Sequence, residues 1–183
     1  MLAHRMVGNR VELRPLTAAD APALDRILHD RQVTRALPYR VRHETGREWT
    51  TRVLLEQRQG DGVAFAIRPI GEREVAGQIR LMNWTRGERE AEVGYWIRRK
   101  SWGRGYGTES LRLICRFGFA SMELHRLVAN VVAGNERSLA ALERVGFRRE
   151  GVRREGTALA DGWADVVVLG LLRGELRALP RRV

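Results

Sequence analysis

Alternation and helical spacing take turns along this chain. "VELRPL" (residues 11–16) alternates Val11 and Leu13 with polar neighbours, which predicts a first strand. Asp20 then occupies an N-cap position ahead of "APALDRILHD", with Pro22 in the first turn of the helix expected there. A second helical stretch covers about 43–59 and stops at the turn signal Gly60-Asp61-Gly62. "VAFAIRP" (63–69), "EVAGQIRLMNW" (74–84) and "AEVGYWIR" (91–98) read as three successive strands, the first two joined by the short connection "IGERE".

"TESLRLICRFGFASMEL" returns to helical spacing. Glu109, Arg112 and Arg116 fall on one polar stripe, while Leu111, Ile114 and Cys115 can face a core. "HRLVANVV" (125–132) is a further strand, and "NERSLAALERVGF" a short helix closed by Gly146. Two last strands follow, roughly 147–154 and 163–173. Strands first and strand–helix alternation afterwards predict a mixed sheet with helices packed on it. The expected class is α/β in the broad sense (α+β), in a single domain over 1–183 with its core at about 11–172.

Composition narrows the setting. No apolar run approaches the ~20 residues that span a bilayer. The N-terminal "MLAHRMVGNR" has neither an apolar signal core nor a small-residue cleavage site, so the expectation is a cytoplasmic protein. Cys115 is the single cysteine, which excludes an intrachain disulfide and a cysteine-based metal cluster; no metal is expected. The net charge is +11, but all of the 33 basic residues except Lys100 are arginine. A bias so lopsided reads as genome composition as much as selection for a polyanion, and the charges are scattered rather than blocked. Nucleic acid is therefore not the expected partner.

The chemistry concentrates around "SWGRGYGTES" (101–110), where Gly103, Gly105 and Gly107 alternate between a predicted strand and a predicted helix. A helix N-terminus offers unpaired N–H groups and partial positive charge, and glycines allow close approach of an anion to the backbone. Residues 98–118 set six cations against Glu109 alone. A plain glycine-rich turn capping a helix remains the other reading. The loop lacks the Gly-Lys-Ser/Thr ending of a nucleoside-triphosphate P-loop, and no acidic residue follows as a dinucleotide fold requires.

Taken in order, "AEVGYWIRRKSWGRGYGTESL", "HRLVANVVAGNERSLAALERVGFRREG" and "DGWADVVVLGLL" resemble the GNAT superfamily of acetyl-coenzyme-A-dependent N-acyltransferases. Within it they are most similar to the branch of ribosomal-protein N-terminal alanine acetyltransferases, and the likeness runs from "VELRPLTAADAPAL" to about Leu172. The resemblance implies acetyl-CoA as co-substrate, with its diphosphate on the loop Gly103, Arg104, Gly105, Tyr106, Gly107 and Thr108. Trp102 stands where the family motif has Gln or Arg. It also implies a bulge that splays the strand carrying Tyr95, Trp96 and Ile97 from the next one, whose backbone N–H groups would face the thioester oxygen. Gly94 fits such a distortion, or equally an ordinary strand.

Asn135 and Ser138 match the family's Asn-x-x-Ser, in which the resemblance gives Asn a contact to the pantetheine arm and Ser a proton for the departing thiolate. Helix capping by the same two residues stays an alternative. For the base that takes the amine proton, Glu92 precedes the "GYW" stretch, and Glu155 falls near a glutamate so used in one branch member. Arg153 and Arg154 would lower the basicity of Glu155. Asp165 matches an acidic position with a structural role, and Trp84 and Trp163 are candidates for walling the acceptor site.

The implied reaction is acetyl transfer to a primary amine, with a protein N-terminus as the first acceptor. The alternatives are a small amine such as an antibiotic or polyamine, and a non-catalytic basic binding domain. The oligomeric state is open, a homodimer included.

Overall fold

The computed structural model describes residues 4–35, 37, 43–159 and 162–178. Among them one mixed sheet carries eight strands: β1 (Met6–Val7), β2 (Val11–Pro15), β3 (Val63–Pro69), β4 (Gly77–Thr85), β5 (Glu90–Ile97), β6 (Arg126–Val132), β7 (Arg148–Leu159) and β8 (Gly162–Leu172). Their spatial order is β1-β2-β3-β4-β5-β6-β8-β7, and only β5 and β6 run parallel. That one parallel pair is joined by α4 (Tyr106–Ser121), the crossover that a parallel pair needs. The other helices are α1 (Ala21–Leu28), α2 (Arg31–Thr34), α3 (Gly46–Gln59) and α5 (Glu136–Val145).

Both faces of the sheet are covered, which explains the near-continuous apolar run in β3. Val63, Phe65 and Ile67 point to one face, where Leu111, Ile114 and Phe117 of α4 and Leu139, Leu142 and Val145 of α5 complete a buried core. Ala64 and Ala66 point to the other, against Leu24 and Ile27 of α1 and Trp49 and Val53 of α3. Burying one such Leu or Phe contributes ~1.5–3 kcal/mol, so these two layers hold the sheet between the helices. Trp96 of β5 belongs to the second layer and meets Trp49 edge-on, with ring centroids 5.3 Å apart. Phe65 and Phe117 make the matching contact in the first layer at 5.4 Å.

Two expectations about charged residues change. Asp20 starts α1 without capping it through its side chain; its carboxylate turns back to the Arg14 guanidinium and accepts the Thr17 N–H. Glu109 does not lie on an exposed stripe. It is buried in the first turns of α4 and accepts the backbone N–H groups of Asn9 (2.6 Å), Arg10 (2.8 Å) and Val11 (3.1 Å). One carboxylate therefore satisfies three donors of the β1–β2 turn and ties it to the start of α4.

Candidate active site

The parallel ladder between β5 and β6 is short. It pairs Glu90 with Arg126, Ala91 with Leu127 and Glu92 with Val128, and then stops. Each strand continues on its other side: β5 stays paired with β4 as far as Ile97, and β6 with β8 as far as Val132. Beyond Glu92 and Val128 the two strands thus part, leaving sheet edges in the middle of the fold with free backbone groups. The splay opens into a cleft of about 980 Å³ lined by Tyr95, Trp96 and Ile97 on one wall and Val132 to Ser138 on the other.

Gly94 lies in the stretch of β5 that has parted from β6, but its pairing with β4 is regular. It sits in register opposite Arg80, and the room of its missing side chain is filled by the Met82 methyl, 2.8 Å from where a Cβ would stand. The irregularity of this strand pair lies across in β4, between Met82 and Thr85, where Asn83 has a φ of 53°.

At the mouth of the splay, a 3₁₀ turn (Arg99–Ser101) leads into the glycine loop. Gly103 (φ 75°) and Gly105 (φ 77°) both adopt the left-handed conformation that a side chain resists, and Gly105 is the N-cap of α4. No side chain caps that helix, so the N–H groups of Tyr106, Gly107 and Thr108 remain available at its positive end. Gly107 serves a different need. A Cβ there would stand 3.2 Å from the Tyr95 ring and 3.5 Å from Ile97, so the missing side chain lets α4 pack directly on β5. Gly103, Gly105, Tyr106, Gly107 and Thr108 all line the cleft, whereas Arg104 does not: its guanidinium stands 3.9 Å from Glu72.

The opposite lip is the start of α5. Asn135 is its N-cap, accepting the Ser138 N–H at 3.3 Å, so the capping role is present. Asn135 and Ser138 nevertheless both line the cleft, and the Ser138 side chain lies beside the Tyr95 phenol, which lines it too. Burial raises the Tyr95 pKa above its ordinary value, and the neighbouring Ser138 works in the opposite direction. The phenol therefore stays protonated at neutral pH, a donor next to a hydroxyl. Sequence reasoning used only the backbone of Tyr95; nothing in one sequence shows that its ring crosses to Ser138.

The two candidate bases stand outside the cleft lining. Glu92 shares the sheet face of Arg80 and Trp96, and its carboxylate accepts from Asn83 Nδ2 at 3.0 Å. Glu155 is exposed on β7 with a φ of 48°, inside a register shift between Arg153 and Thr157, and its N–H donates to Asp165 at 2.8 Å. Asp165 thus has a structural partner, as expected. Neither Trp84 nor Trp163 walls the cleft: Trp84 carries Arg86 at 4.9 Å, and Trp163 is 69% exposed. Among the described residues the tryptophans that do line it are Trp96 and Trp102.

The arrangement offers an anion site at the glycine loop, an extended slot between two parted strands, and a pair of neighbouring hydroxyls, Ser138 and Tyr95, within it. Among the described residues no cluster of side chains could hold a metal ion, and no helix is long and apolar enough to cross a membrane.

Comparison with known proteins places the chain in a family. The acetyltransferase (GNAT) domain model matches residues 10–148. A solved structure of Mycobacterium smegmatis RimJ in complex with CoA-disulfide superposes with a TM-score of 0.82 at 31% identity, covering 92% of this chain and 84% of that one. The Escherichia coli [ribosomal protein uS5]-alanine N-acetyltransferase is 31% identical over 115 residues, 62% of this chain and 59% of that enzyme. Bacillus subtilis YdaF is 37% identical over 101 residues, 55% of each protein, so these matches span little more than half of those relatives. The mixed sheet with its helices is the fold of those structures, and the chain belongs to the GNAT acetyltransferase family.

Proposed function

We propose that this protein transfers an acetyl group from acetyl-CoA to a primary amine, and that the acceptor is the α-amine of a protein or peptide N-terminus. The observation that carries the first half is the splay of β5 from β6 with an uncapped, glycine-led helix at its mouth. A diphosphate fits the N–H groups of Gly103 to Thr108, and an amide-bearing arm fits between two strand edges that have lost each other. The names of the relatives point the same way, since they are acetyltransferases and one neighbour holds CoA-disulfide.

When bound, acetyl-CoA supplies the activated acyl group. The residues of this chain then have three tasks. Backbone N–H groups of β5 beyond Glu92 can hold the negative charge that develops on the carbonyl oxygen, without reorganising, because β4 fixes the strand from its other side. Ser138 Oγ delivers a proton to the leaving sulfur and regains one from the adjacent Tyr95 phenol, which is reprotonated in turn from solvent in the open cleft. The acceptor amine loses its proton to water, with Glu92 as the carboxylate at the end of that path. An N-terminal α-amine has a pKa of ~7.7–8.0, so a substantial fraction is already neutral near pH 7 and needs little help.

The chemistry of the cleft wall favours a peptide acceptor over a small polycation. Glu136 is the single carboxylate among the described lining residues, while Arg35, Arg137 and Arg144 also line it. A polyamine or aminoglycoside would need acidic residues there. Thiol release from acetyl-CoA, measured against a panel of N-terminal peptides, polyamines and aminoglycosides, tests the assignment. Turnover is expected with free-amine peptides and is lost when the α-amine is blocked. Turnover confined to polyamines or aminoglycosides would overturn the acceptor assignment, and turnover with no amine would overturn the function.

A further inference from the structure

The sequence surrounds the glycine loop with cations, yet the fold turns most of them away from the cleft. Arg98 is buried between Glu72 and Glu74. Lys100 pairs with Glu74 at 3.1 Å, Arg104 approaches Glu72, and Arg112 donates to the Arg144 carbonyl. None of these four lines the cleft.

Arg137 behaves differently. It is the second residue of α5, lines the cleft, and among the described residues is paired with no carboxylate. Its guanidinium lies 4.2 Å from the centroid of the Trp102 ring, across the cleft from its own helix. Trp102 immediately precedes Gly103, and its indole N–H is fixed to the Ile97 carbonyl at 2.8 Å. A cation in the first turn opposes the helix dipole, so the stability of α5 does not account for an arginine there. A planar guanidinium stacked on an aromatic face keeps its N–H edge free for an oxyanion, which an ammonium would not do as well.

We propose that Arg137, carried flat on Trp102, is the side-chain ligand of the cofactor diphosphate, completing a cradle that the glycine loop otherwise builds from backbone alone. The proposal rests on reading the cleft as a coenzyme A site. Trp102 is then a positioning residue: it holds the guanidinium beside Gly103 and makes no bond to phosphate itself. The two lips of the cleft, which meet through this stack, would close on the diphosphate from both sides.

Calorimetric titration of coenzyme A, dephospho-CoA and pantetheine separates the possibilities. Wild type binds coenzyme A. Arg137→Ala weakens coenzyme A and dephospho-CoA alike by on the order of 10-fold, as loss of a charge-assisted bond implies, and leaves pantetheine unchanged. Trp102→Ala weakens coenzyme A as well, and the double variant is no weaker than the worse single one, because both remove one contact. Arg137→Lys recovers only part of the loss. Arg137 is exposed, so its variants should melt with wild type, which makes the binding change interpretable.

Coenzyme A binding by Arg137→Ala at wild-type affinity overturns the proposal. So does a penalty that vanishes with dephospho-CoA, which would assign Arg137 to the 3′-phosphate, or one that persists with pantetheine. Fully additive single variants would remove Trp102 from the arrangement. If wild type binds no coenzyme A, the reading of the cleft falls first and this proposal with it.

Discussion

The glycine loop and the edge strand β7 are built by different means. At the glycine loop, the groups that would meet the ligand are backbone N–H groups on rigid elements. Glu109 ties the helix start to the β1–β2 turn, and Arg98 locks the 3₁₀ turn before the loop through Glu72, Glu74 and Ser101 Oγ at 2.8 Å. By contrast, β7 touches the cleft lining only through Leu159 and is an edge strand whose residues from Arg148 to Glu155 are all exposed, twice shifted in register and rich in arginine. A backbone cradle tolerates sequence drift, because it needs only glycine at two φ values and an uncapped helix. An acceptor surface made of exposed side chains is free to change with its substrate. The difference separates what the fold fixes, a glycine-led backbone cradle, from what exposed side chains leave free to vary.

The comparison breaks most visibly at Gly105. Gly105→Val puts a β-branched residue at a φ of 77° and should weaken coenzyme A binding by roughly 100-fold or more by calorimetry, since both conformation and close approach are lost. Wild-type affinity would move the diphosphate off this loop.

Next in size is the hydroxyl pair. Ser138→Ala should lower kcat on the order of 10-fold or more, within the ~10²–10⁴ range of general acid catalysis, with coenzyme A affinity unchanged. Tyr95→Phe should lower kcat by less, because Ser138 keeps its own hydroxyl. The Tyr95 pKa is raised by burial, so the phenol is protonated below its ordinary value of 10 and beyond it, and wild-type activity should show no loss of this donor up to that pH. A fall near pH 8–9 that disappears in Tyr95→Phe would contradict that.

Glu109→Ala sharpens the contrast on the stability side. It strips three buried or half-buried backbone N–H groups of their acceptor and should cost about 1–3 kcal/mol in a denaturant melt. Substitutions on the exposed stretch of β7 should stay within about 0.5 kcal/mol. Equal effects at both places would erase the distinction between a built end and a free one.

The smallest effects belong to the carboxylates. Glu92→Gln should reduce kcat/KM by only a few-fold, most at low pH, recovering as the amine deprotonates unaided. Glu155→Gln should change it less than ~2-fold, because Glu155 is exposed outside the cleft. A loss above 10-fold in either would return that residue to the centre of the reaction.

Which parts were legible in the sequence follows from how local their causes are. β3 occupies Val63–Pro69 as its run predicts, and α5 begins and ends at Asn135 and Gly146 because caps act within a turn. The strand read as 147–154 runs on to Leu159, since two register shifts and an arginine-rich face hide its alternation. The glycine loop was visible as a motif, but the reason for its third glycine was not, because Tyr95 comes from another strand. Glu109 read as one of a surface stripe; its three donors lie about 100 residues away in sequence. Trp102 and Arg137 illustrate the same limit, two residues that meet only when both lips of the cleft exist.

Hydrogen exchange with and without coenzyme A tests the central claim most directly, because it reads the glycine loop, both strand edges and β7 in one experiment. Added coenzyme A should slow exchange at the N–H groups of residues 103–108 and 93–97, and at the start of α5, while residues 148–156 of β7 exchange as before. Protection centred on β7, or none at the glycine loop, would contradict the account.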